Sequence, residues 1–348
     1  MAWVHSGNRQ RGGNLLIILI SHHKYPYPSA LKMSLKLTHS NFLIWKTQLM
    51  FESEVMLRFL NGEFAIPKKK TFCKLSLIVS FIHFLSFSTK AAMTSTTKEI
   101  DLEILPFIRV YKDGSVERLE GSPFAPPTPD QDPETGVSSK DKTISENPSV
   151  SARLYLSKLT DHTQNQKLPI LVYFHGGAFC IESAFGSHYH RYLNSLVSQV
   201  HVLAISVEYR LAPEYLLPAA YEDSWAALQW VASQSAGNDK EPWLINNGDF
   251  GRIFIGGDSA GGNIVHNMAM RAGVESLPCS VKISGAYLVH PYFFSSQAYG
   301  KSGWKGEIEL FEVEEEGHIF HIFNIESENA KAMIKRLASF IFNFASSR

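Results

Sequence analysis

The chain has 348 residues, of which 45% are hydrophobic, enough to build the core of one large domain or two ordinary ones. Its 33 Lys and Arg balance 33 Asp and Glu, so no overall field favours nucleic acid or an anionic membrane over a neutral small molecule. The three cysteines form no CxxC pair and no zinc-type cluster, which predicts a reducing, cytoplasmic location and no structural metal.

The first part of the chain, residues 1–92, shows no sustained hydrophobic period. It holds a short apolar run at 15–20 and a longer run at 75–88. The longer run is only about half of the roughly 20 residues that a membrane-spanning helix needs, so no membrane span is expected. The basic stretch before this run resembles part of a secretory signal. Such a signal stands at the N-terminus of a chain, whereas this stretch begins about 70 residues in, so we do not expect it to direct export. We expect an extension that is poorly structured or unrelated to the fold, and dispensable for it.

One segment of this extension carries a resemblance of its own. Residues 36–50, followed by FLNG at 59–62 and a proline at 67, resemble the gag-type opening of plant copia-like retroelements. An amphipathic helix of no special descent is the alternative. Neither interpretation predicts a catalytic or ligand-binding residue.

From Met93 the pattern changes to that of a globular domain, residues 93–348. Residues 104–119 predict two strands joined by a turn at Asp113 and Gly114, a strong hairpin signal. Short apolar runs then alternate with helical ones, which is typical of a mainly parallel sheet flanked by helices. The strands are predicted at residues 150–156, 169–174, 200–207, 252–256, 281–290 and 307–313, and the helices at 187–198, 218–233, 260–271 and 328–345.

The sequence GDSAG at residues 257–261 fits the GxSxG pattern of a nucleophilic serine. A predicted strand before it and a predicted helix after it supply the context that this short pattern needs. Glycines two residues before and after Ser259 permit a turn too sharp for side chains, which holds the hydroxyl above the sheet. A serine that only caps the helix is the alternative.

A second glycine motif, HGG at residues 175–177, closes another predicted strand and lies upstream of the serine, as an oxyanion-hole loop does. Glycine lets backbone N–H groups approach a substrate carbonyl. We therefore predict Gly176 and Gly177 as donors, with the Ala260 N–H as the third. His175 is interpreted as a structural residue that shapes the loop.

Four motifs together resemble the plant carboxylesterases of the hormone-sensitive-lipase branch of α/β-hydrolases: HGGAF at 175–179, VEYRLAPE at 207–214, PAAYEDSW at 218–225 and GDSAGGN at 257–263. The opening hairpin and the tail at 331–340 resemble in particular the legume 2-hydroxyisoflavanone dehydratase group. That group has a dehydratase with threonine at the nucleophile position, where this chain has Ser259. The resemblance implies an α/β-hydrolase fold, a small-molecule ester as substrate, no cofactor, and esterase chemistry ahead of dehydration.

The family's general base is a histidine that follows the last strand and an acidic run, a placement that His318 has here. The nearest competitor, His321, is expected to pack on the final helix. The gibberellin receptors of the same branch lack this histidine, so its presence favours an enzyme over a receptor.

The carboxylate that should orient His318 has no counterpart in the expected place. It belongs after the penultimate strand, between serine and histidine, yet no aspartate follows Asp258. Only 59 residues separate Ser259 from His318, too few for three strand-to-strand steps of roughly 30 residues each. We predict that one strand and adjacent helices are missing near residues 294–299. The substitutes are glutamates at positions 307, 309, 312 and 314–316, none on a loop in the family's acid position.

The sequence therefore predicts a serine carboxylic-ester hydrolase with Ser259 and His318 as catalytic residues, impaired by the loss of the acid. One alternative is a 2-hydroxyisoflavanone dehydratase-like lyase, in which His318 removes a proton without acylation. The other is a non-catalytic binding protein or the inactive product of a damaged gene, which the missing acid favours. The oligomeric state stays open.

Overall fold

The computed structural model describes residues 16–22, 98–158, 166–237, 241–292, 308–313 and 316–346. The strands in these ranges are β1 (Leu16–His22), β2 (Ile100–Ile104), β3 (Ile108–Tyr111), β4 (Val116–Arg118), β5 (Ser138–Glu146), β6 (Ser149–Leu156), β7 (Leu168–Phe174), β8 (Leu203–Glu208), β9 (Gly248–Asp258), β10 (Ile283–Val289) and β11 (Ile308–Val313). The α-helices are α1 (Ser187–Val200), α2 (Ala219–Ser233), α3 (Pro242–Asn247), α4 (Ala260–Ala272), α5 (Phe320–Phe323) and α6 (Glu328–Ser346). None of these helices combines the length and the apolar character needed to cross a membrane.

The main sheet of the described residues has eight strands in the order β11-β1-β10-β9-β7-β8-β6-β5. Strand β6 runs antiparallel to both of its neighbours, and the other pairs are parallel. Every residue of β7 is buried, because a parallel strand covered on both faces has no solvent side. Helices α2 and α4 contribute to the core on one face, and α1 and α6 to the core on the other. The predicted mainly parallel sheet flanked by helices is confirmed.

Two of the elements that the sequence did not predict, β5 and α3, lack a clear apolar signal. Strand β5 alternates polar and half-buried residues at the edge of the sheet, and α3 has only six residues. The predicted hairpin is present as β3 and β4, with Gly114 at φ +82 in its turn, a value that glycine adopts without steric cost. Strand β2 pairs with β3 and makes this small sheet three-stranded.

Strand β1 comes from the extension that we expected to lie outside the fold. It lies between β10 and β11 and is parallel to both, with Leu16 opposite Gly285 and Ile17 opposite Ile308. This is the sheet position next to the last strand, where the sequence predicts that a strand has been lost. The apolar run at 16–20 suits such a place, because a strand paired on both sides in a parallel sheet is hydrophobic along its length. The structure thus differs from the expectation at these seven residues.

Three other expectations fall on parts of the chain outside the described residues. They are the retroelement-like segment, the apolar run at 75–88 and the internal loss near residues 294–299. The domain boundary near Met93 and the loss near residues 294–299 stay predictions.

Candidate active site

The predicted nucleophile, Ser259, stands in the turn between β9 and α4. Its φ of 50 and ψ of −115 are uncommon for a residue other than glycine, and such strain is typical of functional positions. Two backbone hydrogen bonds hold this geometry: the Ser259 N–H donates to the Val289 carbonyl, and the Ser259 carbonyl accepts from the Tyr292 N–H, both at 2.9 Å. The predicted strand-turn-helix context of the serine is confirmed.

The glycines of the GDSAG motif are required by space. A Cβ atom on Gly261 would lie 1.9 Å from the carbonyl oxygen of Phe174, at the end of the neighbouring strand β7. A Cβ atom on Gly257 would lie 2.6 Å from the same oxygen. Helix α4 can therefore begin this close to β7 only if both positions lack a side chain.

We expect Gly261→Ala to lower the free energy of unfolding by about 3 kcal/mol, the upper part of the range for overpacking, because the contacted atom is backbone and cannot rotate away. Gly317→Ala is the matched control, since a Cβ atom at that position meets nothing within 4 Å. Urea unfolding of both variants measures the difference. The urea concentration at the midpoint should fall, while the slope of the unfolding free energy against urea concentration stays the same. Equal midpoints would contradict the packing argument.

The predicted base, His318, follows β11 and reaches the nucleophile. Its Nε2 lies 3.0 Å from the Ser259 Oγ, a distance at which an imidazole can accept the hydroxyl proton. The prediction that these two side chains approach each other is confirmed.

A neighbouring histidine was not predicted as part of the site. His290 follows β10, its ring stacks on that of His318 with centroids 5.5 Å apart, and its Nδ1 accepts the Ile319 N–H at 2.9 Å. It thus holds the backbone directly after His318. Its position after a parallel strand, at the edge where Ser259 also lies, was the signal that could have found it.

The competing histidine, His321, is fully buried. Its ring packs edge-on against Tyr192 of α1, with centroids 5.1 Å apart. Burial, and then repulsion by a charged His318, lower the pKa of His321 to about 3. His321 is therefore neutral near pH 7 and packs in the core.

The oxyanion loop differs from the expectation at one of its predicted donors. The Gly176 N–H donates to the Tyr189 Oη at 2.7 Å, so this N–H is engaged by a buried side chain. Gly177 has a φ of +107, and a Cβ atom there would lie 2.2 Å from the Ile181 carbonyl oxygen, so the turn requires glycine. Ala260 is the first residue of α4, where a backbone N–H has no partner within the helix.

His175 has the structural place that we expected. It is fully buried and stacks on Tyr209 at 4.2 Å between ring centroids, and its Nδ1 lies 2.7 Å from the Gly176 carbonyl oxygen. The Tyr209 Oη donates to the His175 carbonyl at 2.7 Å. Burial lowers the pKa of His175 to about 4, so the ring is neutral near pH 7.

Two of the glutamates considered as substitutes for the missing acid face the last helix. The carboxylate of Glu309 pairs with Arg336, and the Glu316 Oε1 accepts from the Asn329 Nδ2 at 2.9 Å. Both partners belong to α6. Positions 307, 314 and 315 lie outside the described residues.

The family described as alpha/beta hydrolase fold matches residues 171–321. The chain is similar to 2-hydroxyisoflavanone dehydratase of Glycyrrhiza echinata, 44% identical over 324 residues that cover 71% of this chain and 98% of that protein. It is also similar to probable carboxylesterase 7 of Arabidopsis thaliana, 38% identical over 306 residues that cover 68% of this chain and 96% of that protein.

Among solved structures, the crystal structure of vibralactone cyclase superimposes with a TM-score of 0.50 at 17% sequence identity. The match covers 63% of this chain and 83% of that one. At this identity the likeness shows the fold alone.

Proposed function

We propose that this chain, which belongs to the α/β-hydrolase family, is a serine carboxylic-ester hydrolase that acts on small-molecule esters through an acyl-enzyme. The observation that carries the proposal is the 3.0 Å distance between the Ser259 Oγ and the His318 Nε2, within reach for a nucleophile and its base. The likeness to a probable carboxylesterase supports the same chemistry.

In the first half of the reaction, the Ser259 Oγ attacks the ester carbonyl carbon while the His318 Nε2 takes the hydroxyl proton. The carbonyl oxygen becomes an oxyanion, for which we propose the N–H groups of Gly177 and Ala260 as donors. Because the Gly176 N–H is engaged by Tyr189, we propose the Ala178 N–H, next along the same turn, in its place.

In the second half, His318 returns the proton to the leaving alcohol, and Ser259 keeps the acyl group. Water then attacks the acyl carbon with His318 again as the base. The bond between the acyl carbon and the Ser259 Oγ breaks, the Oγ takes the proton from His318, and the acid is released. The mechanism calls for no cofactor or metal. The balanced charge supports a neutral small molecule rather than nucleic acid as the partner, and the few cysteines support a cytoplasmic location.

The rate is expected to be low because the sequence offers no aspartate after Asp258 to orient His318. The likeness to the dehydratase supports an internal loss. The alignment is 324 residues long, but it includes only 71% of this 348-residue chain, which is fewer than 324 residues. Part of that protein therefore has no counterpart here. In a serine-protease triad, replacing the acid by its amide lowers turnover by about 10⁴.

A fluorophosphonate probe tests the proposal, because it reacts covalently with a serine that its histidine activates. We expect one label, found on the peptide that contains Ser259, and no label on Ser259→Ala. Ser195→Ala, which removes a hydroxyl on α1, is the control and should label like the unaltered chain. A folded chain that stays unlabelled at Ser259 under forcing probe concentrations would exclude the acyl-enzyme route.

A second candidate, a dehydratase-like lyase, is favoured by the 44% identity to 2-hydroxyisoflavanone dehydratase. In that reaction the oxyanion donors would hold a ketone oxygen, and His318 would remove a proton from the carbon next to the ketone. The neighbouring hydroxyl would leave with this proton as water, without acylation of Ser259. Product formation from a 2-hydroxyisoflavanone that survives Ser259→Thr, together with no hydrolysis of p-nitrophenyl esters, would favour the lyase.

A further inference from the structure

Asp258, the residue directly before the nucleophile, is a fully buried carboxyl group that the proposed mechanism does not use. Its Oδ1 accepts from the Tyr173 Oη at 2.6 Å and its Oδ2 from the Tyr189 Oη at 2.8 Å. Burial raises the pKa of Asp258 to about 7, and the hydrogen bonds from the two phenols oppose that rise. A buried carboxylate is tolerated only with such donors.

Tyr189 joins this carboxylate to the oxyanion loop. Burial and the neighbouring Asp258 carboxylate raise the pKa of Tyr189 well above its usual value, so the phenol keeps its proton. A hydroxyl has one proton to donate and two lone pairs to accept with. The proton goes to Asp258, and a lone pair takes the Gly176 N–H, so the hydrogen bonds run in one direction from Gly176 through Tyr189 to Asp258.

The peptide between residues 175 and 176 is therefore held from two sides. Tyr189 and Asp258 fill the space next to Gly176, where a Cβ atom would lie 2.9 Å from the phenol oxygen and 2.5 Å from the carboxylate Oδ2. On the other side, the Tyr209 Oη donates to the His175 carbonyl, and the two rings stack. The N–H groups of the next residues in the turn take their direction from this fixed peptide.

We propose that Tyr189 is a positioning residue for ester hydrolysis: it couples the carboxylate behind the nucleophile to the oxyanion loop and thereby fixes the donors of residues 177–178 relative to Ser259. The inference rests on the proposed function. It adds a residue of α1, outside the GxSxG and HGG motifs, to the groups on which the rate depends.

Tyr189→Phe and Tyr173→Phe form a matched pair for the test. Each variant removes one phenol donor from Asp258, and both side chains are at most 1% exposed. Only Tyr189→Phe also releases the Gly176 N–H. For p-nitrophenyl acetate we expect Tyr189→Phe to lower kcat by about tenfold to a hundredfold with KM unchanged. This loss of kcat is smaller than the loss on deleting an oxyanion donor. We expect Tyr173→Phe to lower kcat by less than about threefold.

A second measurement follows the loop itself, because the phenol shields the Gly176 amide from solvent. Hydrogen exchange of this amide should accelerate in Tyr189→Phe and stay unchanged in Tyr173→Phe, at matched unfolding midpoints. Equal losses of kcat in the two variants, or unchanged exchange at Gly176 in Tyr189→Phe, would overturn the inference. Without labelling of Ser259 in the unaltered chain the proposed function fails, and the exchange measurement still decides whether Tyr189 holds the loop.

Discussion

A chain that begins at Met93 is expected to lose its cooperative fold, because this truncation removes β1 from within the eight-stranded sheet. The facing backbone groups of β10 and β11 would then lack their partners. Each buried group left unsatisfied costs about 1–3 kcal/mol, against a total stability of about 5–15 kcal/mol for a typical domain. This expected result is the opposite of the one that the sequence alone predicts, that the truncated chain stays folded.

A single substitution in the full chain separates the role of β1 from other effects of the truncation. Ile18→Pro removes a backbone donor from the middle of β1, where proline is not tolerated in a strand paired on both sides. Ile18→Val keeps the donor and is the control. We expect a large drop of the thermal unfolding midpoint for the proline variant alone. Near-ultraviolet circular dichroism measures this midpoint. An unchanged midpoint would show that β1 contributes nothing to the sheet.

His22→Asp is expected to raise the hydrolysis of p-nitrophenyl acetate at least about tenfold, with a ceiling of about 10⁴ set by the value of a triad acid. The family carries its acid after the strand next to the last one, and β1 fills that sheet position and ends at His22. Parallel strands end on one edge, and His22 stands in register with Val313, at the end of the strand that precedes His318.

The matched control is His22→Asn, which has the same shape as the aspartate variant without the charge. The gain should need an ionised carboxylate and should vanish when Ser259→Ala is added. Equal rates for the aspartate and asparagine variants would count against this placement of the acid. A high rate in the unaltered chain that falls on Glu314→Gln or Glu315→Gln would show that a glutamate already orients His318.

The sequence predicted the parts of the site that depend on local patterns. Ser259 and Gly261 belong to one short motif, and the order of strand, turn and helix around them follows from apolar spacing. His318 was found from its place after the last strand. These residues could be predicted because each pattern lies within about one turn or one strand of the residue that it identifies.

The rest depends on partners far away in the sequence. Strand β1 was missed because a short apolar run carries no sign of neighbours more than 260 positions away. Gly176 was predicted as an oxyanion donor because the glycine motif cannot show that its N–H donates to the Tyr189 hydroxyl. Local composition shows which backbone groups are accessible, and only the packed structure shows which of them are already used.

The place of β1 also sets an order of events during synthesis. Among the described strands, the ribosome makes β1 first and its two neighbours last. At about 5–20 residues per second, the roughly 270 residues from Leu16 to Gly285 take about 14–54 s. For that time an apolar segment waits with both of its edges unpaired. The space between β10 and β11 offers the same backbone pairing to the β1 of another copy, so this topology opens a route to strand exchange between nascent chains.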